Sequence, residues 1–331
     1  MITRAWRPFA LATLVLTCIL PAGQALAERI TFRIAGWNME SGESSDDHLS
    51  RQIGEKNGID LWGFSEVRNR QAAEAFSQGA AIGEGGAEYD LILGEGGGAD
   101  RLAIVYNKRR LQLVSARELS DQVFERHRPP LVVQFREVAS NIEFKFVVNH
   151  LARGDAQARL RQAEFLNRWV SAERMPVIAV GDYNFDWHVD LGDAGQRDAG
   201  FDAMVKEKRW IWLRPEKLVK TQADDSFVSM LDFVFVANPL PSISAKSTIL
   251  DRDGNAQAID LDFNDNAAET DHRPVDAVFS LDTSPRPEDA VDADADTTEA
   301  GGLAGAAGRA KLLRRLDAIE AQLQELRALL R

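Results

Sequence analysis

The chain has 331 residues, 45% hydrophobic and 27% charged, with a net charge of −12. That composition is globular, with room for one large domain or two ordinary ones, and a sizeable core is expected. Most of the negative charge lies on residues 28–280, which argues against a passive polyanion binder, because phosphate contacts rest on clustered Lys and Arg. An enzyme that reaches phosphates through a bound metal is not excluded, since carboxylates gathered around an ion add negative charge locally.

Arg4 and Arg7 stand before an apolar run over 9–20, and Ala25-Leu26-Ala27 offers small residues where a signal peptidase reads. Residues 1–27 are therefore expected to be a secretory signal, with the mature chain starting near Glu28 and carrying no transmembrane segment. The run is short for a membrane span; the competing reading is an uncleaved anchor. Cys18 is the one cysteine and lies inside this segment, and Thr17 before it fits a lipoprotein signal poorly, so no thiol or disulfide is expected in the mature chain. An exported bacterial protein, periplasmic or secreted, is the simplest reading.

Residues 30–37 alternate as a strand does and end at Asn38-Met39-Glu40. A helix is expected over 46–57, a buried strand over 59–64 ending at Ser65-Glu66, and a second helix over 68–80. The Gly-rich stretch 83–98 reads as loop interrupted by a short strand at 89–93. Further strands are expected at 102–106, 111–116, 131–135 and 144–148. Residues 156–172 form an amphipathic helix with Leu160, Ala163, Leu166 and Val170 on one side. The apolar runs 177–180 and 231–236 each abut a carboxylate, and 274–281 closes the domain as a last strand. Strands outnumber helices and polar clusters recur at strand ends, which suits two packed sheets flanked by helices better than a simple alternating parallel sheet.

Composition changes after Leu281. Residues 282–310 are rich in Asp, Ala, Thr and Gly with little to bury, and read as a flexible acidic linker. In 311–331, Leu312, Leu316, Ile319, Leu323, Leu326 and Leu330 form a heptad seam. An amphipathic coiled-coil helix this short needs a partner for its apolar stripe, either a second copy of the chain or the protein's own domain.

The strand-end clusters are Trp37-Asn38-Met39, Ser65-Glu66-Val67, Asn149-His150-Leu151, Gly181-Asp182-Tyr183-Asn184, Leu231-Asp232-Phe233 and Thr270-Asp271-His272. Singly, each has a dull explanation: a capping Asn, a solvent-facing Glu, a tight turn, a structural histidine. Together they bring two histidines, four carboxylates and three amides to strand ends, where sites on such scaffolds are built. Carboxylate and amide oxygens are the ligands a hard divalent ion prefers. Without cysteine or a paired-histidine spacing, a zinc hydrolase loses ground.

In this ordered set of motifs, W-N-M, S-E-V, N-H-L, G-D-Y-N, M-L-D-F-V-F and T-D-H-R-P-V, the chain resembles the endonuclease/exonuclease/phosphatase family from about Ile30 to Leu281. The resemblance implies an α/β fold, a four-layer αββα sandwich of two mostly antiparallel sheets flanked by helices, with the site at the sheet edges. It also implies a metal-dependent phosphoric-ester hydrolase, using Mg²⁺ with Mn²⁺ or Ca²⁺ as alternates. By the same resemblance Asn38, Glu66 and Asp271 form the metal site, and Asp182 and Asn184 orient the attacking water and the scissile phosphate. His272 acts in general acid/base catalysis, oriented by Asp232, while His150 bonds a phosphate oxygen or serves as the acid.

His150 points away from the abasic-site endonucleases, which usually carry tyrosine there. Glu66-Val67-Arg68 resembles the deoxyribonuclease I-like branch, in which the arginine contacts nucleic acid; the alternative for Arg68 is a surface ion pair. Glu95 is the expected partner orienting His150. Trp210-Ile211-Trp212 is the one segment that could serve a sphingomyelinase as a lipid-entering hairpin, and its spacing favours a packed strand. The expected substrate is a phosphodiester, nucleic acid foremost, with the tail at 311–331 supplying homo-oligomerisation. The competing readings are a phosphomonoesterase or phospholipid phosphodiesterase on the same scaffold, and a non-catalytic binding protein.

Overall fold

The computed structural model describes residues 29–282 apart from 195, 225–227, 239–242, 257–262 and 264–268. The expected signal at 1–27, the linker beyond Asp282 and the heptad helix at 311–331 lie outside the described residues.

The chain builds two six-stranded sheets. The first contains β1 (Arg29–Asn38), β2 (Leu61–Val67), β3 (Tyr89–Leu93), β4 (Arg101–Asn107), β11 (Ile243–Ile249) and β12 (Val275–Asp282), in the order β11-β12-β1-β2-β4-β3. The second contains β5 (Leu111–Glu118), β6 (Leu131–Glu137), β7 (Glu143–His150), β8 (Val177–His188), β9 (Ile211–Trp212) and β10 (Ser229–Ala237), in the order β5-β6-β7-β8-β10-β9. Among the described residues every pairing is antiparallel except two, β1 with β2 and β7 with β8. Those two parallel pairs sit centrally, each joined by a helix. Helix α1 (Asp46–Glu55) links β1 to β2, and α3 (Ala156–Ser171) links β7 to β8. A parallel pair needs such a crossover, and ligands gather outside the carboxyl ends of its strands.

Helix starts follow local chemistry. Ser45, Asn69 and Asp155 cap α1, α2 (Arg70–Gly83) and α3 by accepting hydrogen bonds from His48, Ala72 and Ala158 backbone N–H groups. Because Asn69 is the cap, α2 begins two residues later than the pattern predicts, and Arg68 falls outside it. The expected strands all form, several longer than their apolar runs. Pattern reading missed β11 and the short helix α4 (Ala199–Met204), which lack a long apolar period. Among the described residues no helix is long and apolar enough to cross a membrane.

Alternation along the strands sorts side chains into layers. In β1, Ala35 and Trp37 join Trp62, Phe64, Phe76 and Val105 under α1 and α2, whereas Phe32 and Ile34 turn toward the second sheet. The inner faces close tightly at two glycines. A Cβ on Gly63 would lie 2.5 Å from Val180 Cγ2 and 2.6 Å from Val148 Cγ2, and one on Gly36 would lie 2.8 Å from Val180 Cβ. This pinch lies two or three residues before Asn38 and Glu66, and so brings the ends of both parallel pairs together.

Candidate active site

The site forms at that end of the sandwich. Asn38 ends β1, His150 ends β7, and their parallel neighbours Glu66 and Asp182 lie within β2 and β8, His150 pairing in register with Asp182. The motifs interrupt strands more than they end them. At Glu66 the β2–β4 register shifts between Phe64 and Val67, and Glu66 itself has φ +55°. Asn184 and Asp186 in β8 have φ +52° and +50°. Such bulges turn a side chain out of the regular alternation, at a cost in backbone strain that is concentrated at functional sites. Gly181 is required by sterics as well: its φ is +139°, and a Cβ there would come within 1.9 Å of the Asn149 carbonyl oxygen.

Asn38 ties the two sheets together. Its Nδ2 donates to Glu66 Oε1 at 2.9 Å and to Asp182 Oδ2 at 3.1 Å, and its Oδ1 accepts from the Glu40 N–H at 3.1 Å. Around these carboxylates, Glu66, His150 and Asp182 each offer a ligand atom, all within 4.8 Å of one another. His150 Nε2 lies 3.7 Å from Glu66 Oε1 and 3.4 Å from Asp182 Oδ2. The Nε2 of His150, which faces these carboxylates, is buried without a hydrogen bond. Convergent carboxylate oxygens beside an unsatisfied buried imidazole fit a divalent cation, a phosphate drawn to it, or both.

The expected metal residues Asn38, Glu66 and Asp271 are placed differently around this cluster. Glu66 is in the cluster, but Asn38 turns its amide nitrogen into it, since its oxygen is committed to Glu40 N–H. Asp271 is not part of it. The Asp271 carboxylate lies 3.6 Å from His272 Nε2 and accepts from Gln222 Nε2 at 3.1 Å, while the Asp271 N–H donates to Glu40 Oε2.

His272 and Asp232 form the expected pair, Nδ1 to Oδ2 at 2.8 Å, both side chains buried. Burial pushes the Asp232 carboxyl up to about 6, against the pull of His272. Burial opposes charge on His272, but Asp232, joined by Asp182 and Asp271, holds the imidazole well above its ordinary value. The pair is braced on all sides. Thr221 Oγ1 accepts from the N–H groups of Leu231 and Asp232, Trp37 Nε1 donates to the His272 carbonyl, and Thr270 Oγ1 donates to the Asn38 carbonyl while accepting the His272 N–H. Asp182 Oδ1 accepts the Asn184 N–H, and Asn184 Nδ2 donates to the Leu151 carbonyl.

His150 also has a carboxylate behind it, but not the expected one. Asp100 Oδ1 lies 3.3 Å from His150 Nδ1, and Asp100 Oδ2 lies 2.9 Å from Arg128 Nη1. Burial raises the Asp100 carboxyl, yet contact with His150 and Arg128 holds it below its ordinary value. Glu95 is exposed in the turn after β3 and lines a different cavity. Gly97 and Gly98, at φ +92° and +67°, reverse the chain, so the residue delivered to His150 is the one before β4. Arg68 is in an ion pair with Asp46 in the first turn of α1. Asp100, Thr221 and Gln222 escaped the sequence reading because none sits beside a strand-end motif; the one local signal was an Asp closing a glycine run.

The comparisons with known proteins agree with this geometry. Residues 35–253 match the model of the Endonuclease/Exonuclease/phosphatase family. No curated protein matches the chain. Among solved structures, an endonuclease/exonuclease/phosphatase family protein from Bacteroides thetaiotaomicron superposes with a TM-score of 0.57 at 17% identity, over 77% of this chain and 99% of that one. A mannosyl-6-phosphatase from Bacteroides thetaiotaomicron VPI-5482 gives 0.54 at 18% identity, over 75% and 99%. D. rerio TDP2 complexed with single strand DNA product gives 0.57 at 14% identity, over 75% and 98%. At these identities the structures establish a shared fold, and the family match adds the chemical class. The chain belongs to the Endonuclease/Exonuclease/phosphatase family, whose enzymes depend on divalent metals, and is a hydrolase of phosphoric esters.

Proposed function

We propose that the protein is an exported phosphodiesterase that cuts nucleic-acid strands by in-line attack of water, with Mg²⁺ as its cation and Mn²⁺ or Ca²⁺ as alternates. The observation that carries the reading is a pair of buried imidazoles, each backed by a carboxylate, beside the Asn38-bridged carboxylates Glu66 and Asp182. Diester cleavage needs a group to take the proton of water and a group to protonate the departing oxygen. The rest of the barrier is lowered by positioning and by compensation of charge.

Glu66 and Asp182 would hold the cation through their oxygens. When bound, it supplies charge withdrawal at the phosphoryl oxygen. His272 keeps one ring nitrogen on Asp232 and presents Nε2 to the site, where it can exchange a proton with the reacting oxygens. His150, oriented by Asp100, is placed to bond a phosphate oxygen. Asp182, held through Oδ1 by the Asn184 N–H, orients water with its other oxygen.

Nucleic acid is favoured over lipid. Trp210 is fully buried, stacks on Trp169 at 6.3 Å and donates to the Leu166 carbonyl, while Trp212 packs against Trp187 at 4.7 Å, so neither indole is free to enter a bilayer. The similarity to TDP2 complexed with single strand DNA product supports the same choice. A phosphomonoesterase is the second reading, supported by the similarity to a mannosyl-6-phosphatase. Export rests on residues 1–27, and self-association on the heptad seam at 311–331. Sedimentation of the full chain beside one ending at Leu281 tests the latter, and equal monomer masses would remove it.

The activity test is a panel of plasmid DNA, RNA, sphingomyelin, inositol phosphates and a sugar phosphate with Mg²⁺, Mn²⁺ or EDTA. Cleavage of nucleic acid that EDTA stops and His272→Gln abolishes is expected. Inactivity on nucleic acid, or a His272→Gln enzyme as fast as wild type, would overturn the reading.

A further inference from the structure

An open cavity of about 400 Å³ adjoins the carboxylate cluster, lined by Arg153, Asn184, Asp186, Gln222, Ser229 and Leu231 among others. Two of these belong to the site's framework: Asn184, whose N–H donates to Asp182, and Gln222, whose Nε2 donates to Asp271. A group bound there therefore adjoins the phosphate being cut.

The cavity differs from the rest of the site in its charge. Other arginines nearby are committed to carboxylates: Arg68 to Asp46, Arg128 to Asp100, Arg159 to Asp198. Arg153 is exposed and makes no hydrogen bond or ion pair among the described residues. The two residues that lead into it are nevertheless held by hydrogen bonds. The Leu151 carbonyl accepts from Asn184 Nδ2 at 3.2 Å, the Ala152 N–H donates to Gln162 Oε1 at 2.8 Å, and Arg159 Nη1 donates to the Ala152 carbonyl at 2.7 Å. A free guanidinium is thus carried on a hydrogen-bonded stem at the mouth of the cavity. Across from it, Asp186 accepts the Ser229 hydroxyl.

Glu66, Asp182 and Asp271 already make the site negative, so a second anionic group needs a cation of its own. A guanidinium is well matched to a phosphate, which it can bind through two parallel N–H donors. We propose that this cavity is a subsite for the phosphate neighbouring the scissile one in a nucleic-acid strand, with Arg153 as the residue that binds it. The inference rests on the phosphodiesterase reading and deepens it, making Arg153 the residue that separates strands from diesters with a single phosphate.

The test compares full-length wild type, Arg153→Ala and Arg153→Lys on hexathymidylate and on bis(p-nitrophenyl) phosphate, with Mg²⁺ at several salt concentrations. Arg153→Ala is expected to lower the ratio of kcat/KM for the strand over that for the single-phosphate diester about tenfold, through KM, as befits one lost charge-assisted contact. The slope of log kcat/KM for the strand against log salt should become shallower by about 0.7. Arg153→Lys, which keeps the charge but not the two-donor fork, should restore the salt slope and only part of the lost kcat/KM. An equal fall on both substrates, or an unchanged salt slope, would overturn the subsite. If wild type cleaves the small diester but not the strand, the subsite fails while diester hydrolysis stands. Cleavage of neither would overturn the proposed function itself.

Discussion

The two ends of the sandwich are made from the same strands and do opposite things. Phe32 and Asn38 share β1, Phe144 and His150 share β7, Val177 and Asp182 share β8, and Val236 and Asp232 share β10. At one end Phe32, Phe144, Val177, Val236 and Phe279 line an apolar cavity of about 210 Å³. About 20 Å away, six residues along β1 or β7, side chains on the same inner face are carboxylates, amides and imidazoles. The apolar end is regular and slightly underpacked. The polar end is bulged, densely hydrogen-bonded, and holds charge in places where burial opposes it. Packing specifies the first, whereas the second gives up local stability for an arrangement of reactive groups.

The largest test of that contrast is Asp232→Asn. It keeps the shape but removes the charge that orients His272, so activity should fall by about a thousandfold, roughly 4 kcal/mol of barrier. Because burial disfavours the Asp232 carboxylate, thermal stability should hardly change; a fall in Tm as large as a core mutation causes would show that the pair is structural. Next comes Gly63→Val at the pinch between the ends. Its side chain would collide with Val148 and Val180, and overpacking of this kind costs about 1–3 kcal/mol or more. Chemical denaturation should show that loss together with loss of activity, because the sheets must part just before Glu66. Unchanged stability would mean that the sheets part freely there.

A smaller effect is expected from cation binding. If Glu66 and Asp182 hold the ion, Mg²⁺ or Mn²⁺ at a hundred times its Kd should stabilise the fold by about 2.7 kcal/mol. Glu66→Gln should lose most of that shift, and calorimetry with and without EDTA reads it directly. The smallest change belongs to the apolar end. Ala245→Val adds methyl groups beside the cavity and should raise stability by about 1 kcal/mol while leaving kcat unaltered. A change in kcat would mean that the two ends are coupled through the strands.

Most of the fold can be read from period alone. Alternating and continuous apolar runs mark β1, β2, β4, β6, β7, β8, β10 and β12, and helical spacing marks α1, α2 and α3, though not the Asn69 cap that starts α2. What is lost is whatever carries no long period: β11, α4, and the 221–223 segment that backs His272. The site divides in the same way. Asn38, Glu66, His150, Asp182, Asn184, Asp232, Asp271 and His272 all lie beside apolar strand runs, and the structure brings them to one end of the sandwich. Their partners are another matter. Asp100, not Glu95, reaches His150, because two left-handed glycines decide where the turn after β3 returns. Asp271 stands apart from the carboxylate cluster because Gln222 and His272 are its neighbours, and Arg68 is in an ion pair because α1 presents Asp46 to it.

Sequence by itself therefore determined which polar residues gather at one end of the sandwich, since reactive groups beside buried strands stand out against the apolar pattern that places them. Only the tertiary structure decided which of those groups face one another. Pairings between distant residues, such as Thr270 with the Asn38 carbonyl 232 positions away, depend on sheet stacking, bulge geometry and glycine-directed turns that no local period encodes.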